Sequence, residues 1–174
     1  DLLLIIGNYG LMCIVFRIIS DDTVGFLLGL EFVALVMLSN AGLFASSNDL
    51  LKLIEMYRRM GSYGGEQIIQ PEVLRTYTSY QFPELNIRRG LGFDKPLLGE
   101  KDGSPEDYPC PGASRASFGH SGFTGTFVWA DPEHEISYVF LSNRVHTTRT
   151  NKLLYEMNIR TNILQTVYDA ITEP

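Results

Sequence analysis

From Ser46 to the C-terminus, apolar residues alternate between helical spacing and the every-other-residue pattern of strands, and the switches divide this part of the chain into elements. Leu50, Leu51, Leu53, Ile54, Tyr57 and Met60 predict a helix capped by Ser46 or Ser47, with Gly61 placed to end it. Gly64-Gly65 reads as a turn, Gln67 to Gln70 as a short extended piece, and Pro71 as the first turn of a small helix through Thr78. Gly90 to Asp94 reads as a strand. Phe118 to Ala130 and Glu135 to Ser142 read as two antiparallel strands joined by Asp131-Pro132-Glu133-His134. In the second of them Ile136, Tyr138 and Phe140 alternate with Ser137, Val139 and Leu141, so both faces are expected to be covered. A terminal helix from Thr150 to Ile171 presents Leu153, Leu154, Met157, Leu164, Val167, Tyr168 and Ile171 as its inward stripe. The expected fold class is α/β in the α+β sense: an antiparallel sheet flanked by helices.

The stretch before Ser39 follows another pattern. The first 48 residues hold five charged side chains, Asp1, Arg17, Asp21, Asp22 and Glu31, against 29 in the remainder, which places a boundary between residues 1–38 and 39–174. Leu2 to Ile19 and Val24 to Leu38 are apolar runs, each interrupted or too short for a bilayer span. A buried helical hairpin, a membrane anchor giving residues 2–38 contact with lipid, a signal-like remnant and a foreign or out-of-frame continuation all fit. The signal reading fits least, since no basic n-region precedes the run.

A net charge of −6 without a basic stripe argues against a nucleic-acid partner. Cys13 and Cys110 lack metal-ligand spacing, and the glycines lack the strand-then-helix context of a phosphate or dinucleotide loop, so no metal or cofactor is expected. His134-Glu135 does not continue to a second histidine at Tyr138, and Phe123 occupies the last glycine position of a would-be Gly-x-Ser-x-Gly elbow. His146 reads as a surface residue. Leu97 to Arg115, rich in Gly, Pro and charge, reads as a loop that Glu106-Asp107 keep solvated, and Arg88-Arg89 read as a solvated pair at a strand edge.

The candidate chemistry lies in Phe118-Gly119-His120-Ser121-Gly122-Phe123-Thr124-Gly125-Thr126. Glycine in a strand suggests close approach to the backbone, and a substrate is one candidate for the approaching group. His120 and Gly122 would share one face, Ser121 and Phe123 the other, with edge N–H groups free to hold an oxyanion. A hairpin strand with glycines at a bulge and a surface histidine is the alternative.

Gly119-His120-Ser121-Gly122 followed by Phe-Thr-Gly-Thr resembles the Lys/His-Thr/Ser-Gly strand motif of the serine β-lactamase and penicillin-binding-protein superfamily, in its class C-like branch. Asn40-Ala41-Gly42-Leu43-Phe44, Arg89-Gly90-Leu91-Gly92-Phe93-Asp94, Trp129-Ala130-Asp131-Pro132-Glu133 and Leu141-Ser142-Asn143-Arg144-Val145 follow in the family's order. In detail it is similar to the β-lactamase-related domain fused to glycoside hydrolase family three β-N-acetylglucosaminidases of Bacteroidetes type, from about Asn40 onward. The resemblance implies a partial β-lactamase/transpeptidase-like fold and a small-molecule or peptidoglycan-like substrate. It also implies periplasmic or outer-membrane placement and a fused glycoside hydrolase module as partner. His120 and Ser121 would be catalytic, holding a substrate carboxylate and tuning proton transfers. Gly122 would let substrate lie on the strand, and the Phe123 N–H would be an oxyanion donor.

The superfamily's Ser-x-x-Lys helix start is missing: the residues three before Lys52, Lys95, Lys101 and Lys152 are Asp49, Gly92, Leu98 and Arg149. Ser46-Ser47-Asn48 fits Ser-x-Asn formally, but Asp49 three after Ser46 marks it as a helix cap. The expectation is the C-terminal portion of an acyl-enzyme hydrolase, inactive alone because its nucleophile lies in other sequence. A noncatalytic ligand-binding relative and a small membrane-associated protein are the alternatives.

Overall fold

The computed structural model describes residues 45–98 and 107–172, together with two strands near the start, Leu2–Ile6 (β1) and Met12–Phe16 (β2). The chain divides into two compact units, Asp1–Ala45 and Ser46–Pro174. In the first unit β1 and β2 pair antiparallel, Leu2 opposite Phe16 and Ile6 opposite Met12. This corrects the helical-hairpin expectation for those residues. Ile, Val and Phe favour extended backbone. Val24 to Leu38 and the boundary near Ser39 lie outside the described residues. No helix among the described residues is long and apolar enough to cross a membrane.

The second unit opens with helix α1, Ser47–Arg58. Ser46 caps it: the Asp49 N–H donates to Ser46 Oγ at 3.2 Å, and Ser46 Oγ donates to the Asp49 carboxylate at 2.7 Å. Ile54, Met56 and Tyr57 are buried, while Leu51 of the expected stripe is exposed. Gly61, at φ +89°, reverses the chain where a Cβ would stand 2.0 Å from the Ile69 carbonyl oxygen. A two-residue hairpin follows, β3 (Ser62–Tyr63) and β4 (Glu66–Gln67), turning at Gly64-Gly65, both with positive φ. Helix α2 spans Pro71–Thr78, as its proline predicts, and a 3₁₀ turn occupies Pro83–Leu85.

The sheet has three strands in the order β5 (Phe118–Ser121), β6 (Phe127–Asp131), β7 (Ile136–Phe140). The expected single strand from Phe118 to Ala130 is therefore two. Gly122 to Thr126 folds back as a turn, with Gly122 N–H on the Thr126 carbonyl at 2.7 Å, Gly125 N–H on the Gly122 carbonyl at 2.9 Å, and Gly125 at φ +95°. Register then assigns the faces, because directly paired residues share a side. Ser121, Phe127 and Phe140 lie on one, with Trp129 and Tyr138; His120, Val128 and Val139 lie on the other, with Ala130 and Ser137.

The Trp129 face is covered from the C-terminal end of the chain. Helices α3 (Leu153–Glu156) and α4 (Ile159–Thr172) replace the expected continuous helix, interrupted at Asn158, which takes φ 49°. Leu164 and Tyr168 join Phe127, Trp129, Ile136, Cys110 and Ala113 in the core. Leu153 and Met157, expected inside, are exposed, since the break at Asn158 rotates the first turn away from the stripe, and Ile171 is exposed in the last turn of α4. Each large apolar side chain fully buried here stabilises the fold by about 1.5–3 kcal/mol. The opposite face meets α1, where Ser137 Oγ donates to Glu55 at 2.6 Å and Tyr57, Phe93 and Phe118 stack edge to face. Arg58, then Ser137 and Arg59, hold the Glu55 carboxyl down to about 2 against its burial. Both faces of the sheet are covered, as the alternation in β7 predicts.

Candidate active site

β5 is the outer strand of its sheet, and only its first half is paired on the free side. The Asp94 N–H donates to the Gly119 carbonyl at 2.7 Å, and the Gly119 N–H returns to the Asp94 carbonyl at 3.0 Å. There the pairing stops. Gly90 to Asp94, expected as a strand, is a tight turn with Gly92 at φ +84° and Gly90 N–H on the Phe93 carbonyl at 2.9 Å, so the chain leaves the edge. Gly122 N–H points inward to Thr126, so by alternation Ser121 N–H points outward with that of Gly119. Next along the edge comes the Phe123 N–H, which has no acceptor among the described residues. The motif thus lies on an edge whose last donors are open.

His120 and Ser121 project to opposite faces, as expected from the strand alternation. The His120 ring is half-buried, with Nδ1 2.9 Å from the Ser121 carbonyl oxygen. Ser121 shares its face with Phe127 and Tyr108; the Tyr108 hydroxyl is pushed up by burial, while Arg88, Arg160 and the Ser121 side chain act in the opposite sense. A cavity of about 200 Å³ opens beside Phe127, between Tyr108 and the α3–α4 junction at Leu154, Asn158 and Arg160. Phe127, the cross-strand partner of Ser121, lines it; His120 and Ser121 do not. Phe123 is 61% exposed at the turn.

The groups that approach the glycines closely are the protein's own. A Cβ at Gly119 would meet the Val128 carbonyl oxygen at 2.1 Å and the Trp129 ring at 2.3 Å; at Gly122, Thr126 Oγ1 at 2.2 Å; at Gly125, Leu154 at 2.3 Å. Close packing of the hairpin therefore accounts for Gly119 and Gly122, and the positive φ of the turn with the approach of Leu154 and Ser142 accounts for Gly125.

Several neighbours of the motif carried no clear sequence signal. Asp94, 3% exposed, accepts from Arg89 and from the Tyr108 hydroxyl at 2.9 Å, with Arg88 at 3.7 Å and stacked 3.8 Å over the Tyr108 ring. Arg89 is exposed, as expected of a solvated residue, and Arg88 is half-buried, and both also reach Asp94 at the turn that ends beside Gly119. Asp107, also expected in solvent, is buried and lines the cavity; Glu106 lies outside the described residues. Tyr80 packs against Lys95, whereas Tyr77 and Phe82 are exposed. His146 is exposed on its loop. Among the described residues no cluster of His, Cys, Asp and Glu could hold a metal ion.

Lys95 stands out chemically. Its ammonium is buried, donates to the carbonyls of Ser117 at 2.7 Å and Ala116 at 3.2 Å, and sits 5.0 Å from the Tyr80 ring centroid. Burial pushes it down to about 8 from an ordinary 10.5, against a smaller opposite pull from Asp131. The unfolded chain therefore binds the proton more tightly than the fold, and stability rises as pH climbs from about 8 toward 10. Urea midpoints of the parent should accordingly gain on those of Lys95→Met between pH 8 and 9.5. A constant difference across that interval would contradict the assignment.

Residues 17–159 match the β-lactamase family. The chain belongs to the β-lactamase family. The match extends upstream of Asn40, where the resemblance on individual motifs begins. Among curated proteins, the chain is similar to a "Putative D-alanyl-D-alanine carboxypeptidase" of Escherichia coli (strain K12), 30% identical over 110 residues. A protein of the same description from Salmonella enteritidis PT4 is 30% identical over 114 residues. These alignments cover 62% and 64% of the chain but 24% of each relative, so the chain spans about a quarter of the length of the curated relatives it matches. The mixed helices and antiparallel sheet are consistent with a partial β-lactamase-like fold, in a serine-hydrolase-like family.

Proposed function

We propose that this β-lactamase-family chain supplies the substrate-holding strand of a serine hydrolase that works through an acyl-enzyme on an amide or ester of cell-wall or β-lactam type. The observation that carries this reading is the open edge of β5, with Ser121 N–H directed outward and the Phe123 N–H without an acceptor among the described residues. A carbonyl lying along that edge meets the Phe123 donor as its oxygen gains charge under attack. Such a donor is worth about 2.7–4 kcal/mol of barrier. His120, on the same strand, serves as the ionisable group that steers a substrate carboxylate and the proton transfers, while the Ser121 hydroxyl, on the other face of the strand, is a second donor to a ligand lying along the edge.

The attacking serine belongs to a Ser-x-x-Lys that residues 1–174 do not contain, so the chain alone does not turn over. Its serine and the β5 edge would together form the cleft, in an envelope protein of the periplasm or outer membrane. The names of the curated relatives favour a peptidoglycan-like substrate. The fused glycoside hydrolase module rests on motif resemblance alone.

Two measurements test this. The 174-residue chain is expected to leave a chromogenic β-lactam unhydrolysed, and turnover abolished by His120→Ala would overturn that. The full-length gene product is expected to take a fluorophosphonate or fluorescent penicillin on a serine outside these residues. A full-length product that binds peptidoglycan fragments yet takes neither label would establish the noncatalytic reading.

A further inference from the structure

Beyond β5 the surface turns both apolar and basic. Phe123, in the turn from Gly122 to Thr126, is 61% exposed, Leu153 56% and Met157 60%, and Leu141 and Tyr155 are exposed as well. Arg144 joins them into one face. Its N–H donates to the Thr124 carbonyl at 2.8 Å, its guanidinium lies 4.8 Å from the Phe123 ring centroid and 5.0 Å from that of Tyr155, and its Nη1 donates to the Asn151 carbonyl at 2.9 Å. Asn151 Oδ1 in turn accepts from the Leu153 N–H at 3.1 Å, and Met157 follows one turn later with its N–H on the Leu153 carbonyl at 3.0 Å. From Leu141 to Met157 the chain carries Arg144, Arg149 and Lys152 against Glu156 alone, in a protein whose net charge is −6. Among the described residues none of these three cations has a carboxylate within ion-pair distance. Arg160 and the buried Asp107 both line the cavity and are not counted in this face.

Large apolar side chains gathered in solvent mark a surface that another body covers, and the charge around them selects that body. A second group of exposed apolar residues, Val73, Tyr77, Phe82 and Leu85, stands among both signs: Glu72 paired with Arg75, and Glu84. Around Phe123 the sign is positive, and the long stems of arginine and lysine are themselves apolar. An anionic bilayer surface matches both properties: its phosphates attract the cations, and Phe, Leu and Met enter the interface between them. A soluble polyanion matches the charge alone and leaves Leu153 and Met157 in water. We propose that the face formed by the β5–β6 turn, Leu141 and α3 docks on anionic phospholipid, with Phe123, Leu153 and Met157 entering the interface and Arg144, Arg149 and Lys152 on the headgroups. Docking stands apart from the hydrolase reading and is measured without turnover.

Flotation of the 174-residue chain with lipid vesicles tests this. Vesicles of phosphatidylcholine with phosphatidylglycerol are expected to carry the chain, pure phosphatidylcholine far less, and high salt to release it. Arg149→Gln or Lys152→Gln should weaken binding about fivefold, and the two together about twentyfold. Leu153→Ser with Met157→Ser should weaken it about tenfold at unchanged charge. Glu156→Gln removes the opposing carboxylate and should strengthen binding about threefold or more, a gain that loss of folding cannot produce. Arg149, Lys152, Leu153, Glu156 and Met157 are all exposed, and circular dichroism checks the fold of each variant. Equal binding to neutral vesicles would overturn the inference and move lipid contact to the apolar runs within residues 2–38. Affinity unchanged by the charge variants or by the Leu153 and Met157 pair, or capture by polyglutamate without capture by vesicles, would overturn it as well. A full-length product that takes no serine label sinks only the hydrolase reading.

Discussion

Asp131→Ala is expected to lower the unfolding free energy by about 4 kcal/mol. Asp131 is fully buried at the end of β6. One carboxylate oxygen accepts from Ser114 Oγ at 2.6 Å and from the N–H groups of Glu133 at 3.0 Å and His134 at 3.3 Å. The other accepts from the Ser114 N–H at 2.8 Å and the Tyr168 hydroxyl at 2.7 Å, with His134 Nδ1 at 3.1 Å. A single carboxylate thereby joins the β6–β7 turn, the loop before β5 and helix α4. Alanine would strand these donors in a site too small to hydrate them all. Urea unfolding followed by the fluorescence of Trp129, buried in the adjoining core, measures the loss; a change under about 1 kcal/mol would refute the hub.

The same carboxylate sets an acid limit. Burial pushes Asp131 up, but its hydrogen bonds from Ser114, Tyr168 and His134 together outweigh that, and the carboxyl lies below its ordinary range. With the folded value depressed, the contribution is complete above the unfolded value of about 3.9 and is lost as pH falls through the folded one. Asp131→Asn should flatten the fall of the urea midpoint below about pH 4 relative to the parent.

Gly119→Ala should destabilise the unit by about 3 kcal/mol, at the upper end for an overpacked core. The added methyl would stand 2.1 Å from the Val128 carbonyl oxygen and 2.9 Å from the Trp129 Cα, and backbone atoms cannot swing aside as the end of a side chain can. Relief requires β5 to move off β6, which also disturbs the bridge to Asp94 and the open edge beyond it. Gly92→Ala is the control: no atom lies within 4 Å, so its cost is the strain of φ +84° alone, about 1–2 kcal/mol. Equal losses at the two positions would mean that close packing is not what demands glycine at 119.

Much of this could be read from the residues because it depends on local rules. Ser46 with Asp49, Pro71 at a helix start, Gly64-Gly65 at a turn, and Asp131-Pro132 at another each act through backbone geometry within a few residues. Family membership was legible for a related reason: His120-Ser121-Gly122 and the spaced motifs around it keep their order along the chain. Where glycines served two roles the reading failed. Alternation alone puts Gly122 and Gly125 inside one strand, although together they make the turn that separates β5 from β6.

Chain order alone thus defined an antiparallel sheet between helices, the strand that bears His120 and Ser121, and the want of a Ser-x-x-Lys. Partners distant in sequence settled the remainder. Folding set Asp94 against Gly119, Arg88 and Arg89 on Asp94, Lys95 on the carbonyls before β5, and Tyr168 on Asp131. It also gathered Arg144, Arg149 and Arg160 around Phe123 and Tyr155. Hydrogen bonding and burial act through space over a few ångströms, so spacing along the chain carries no record of which side chains will share a carboxylate or a ring.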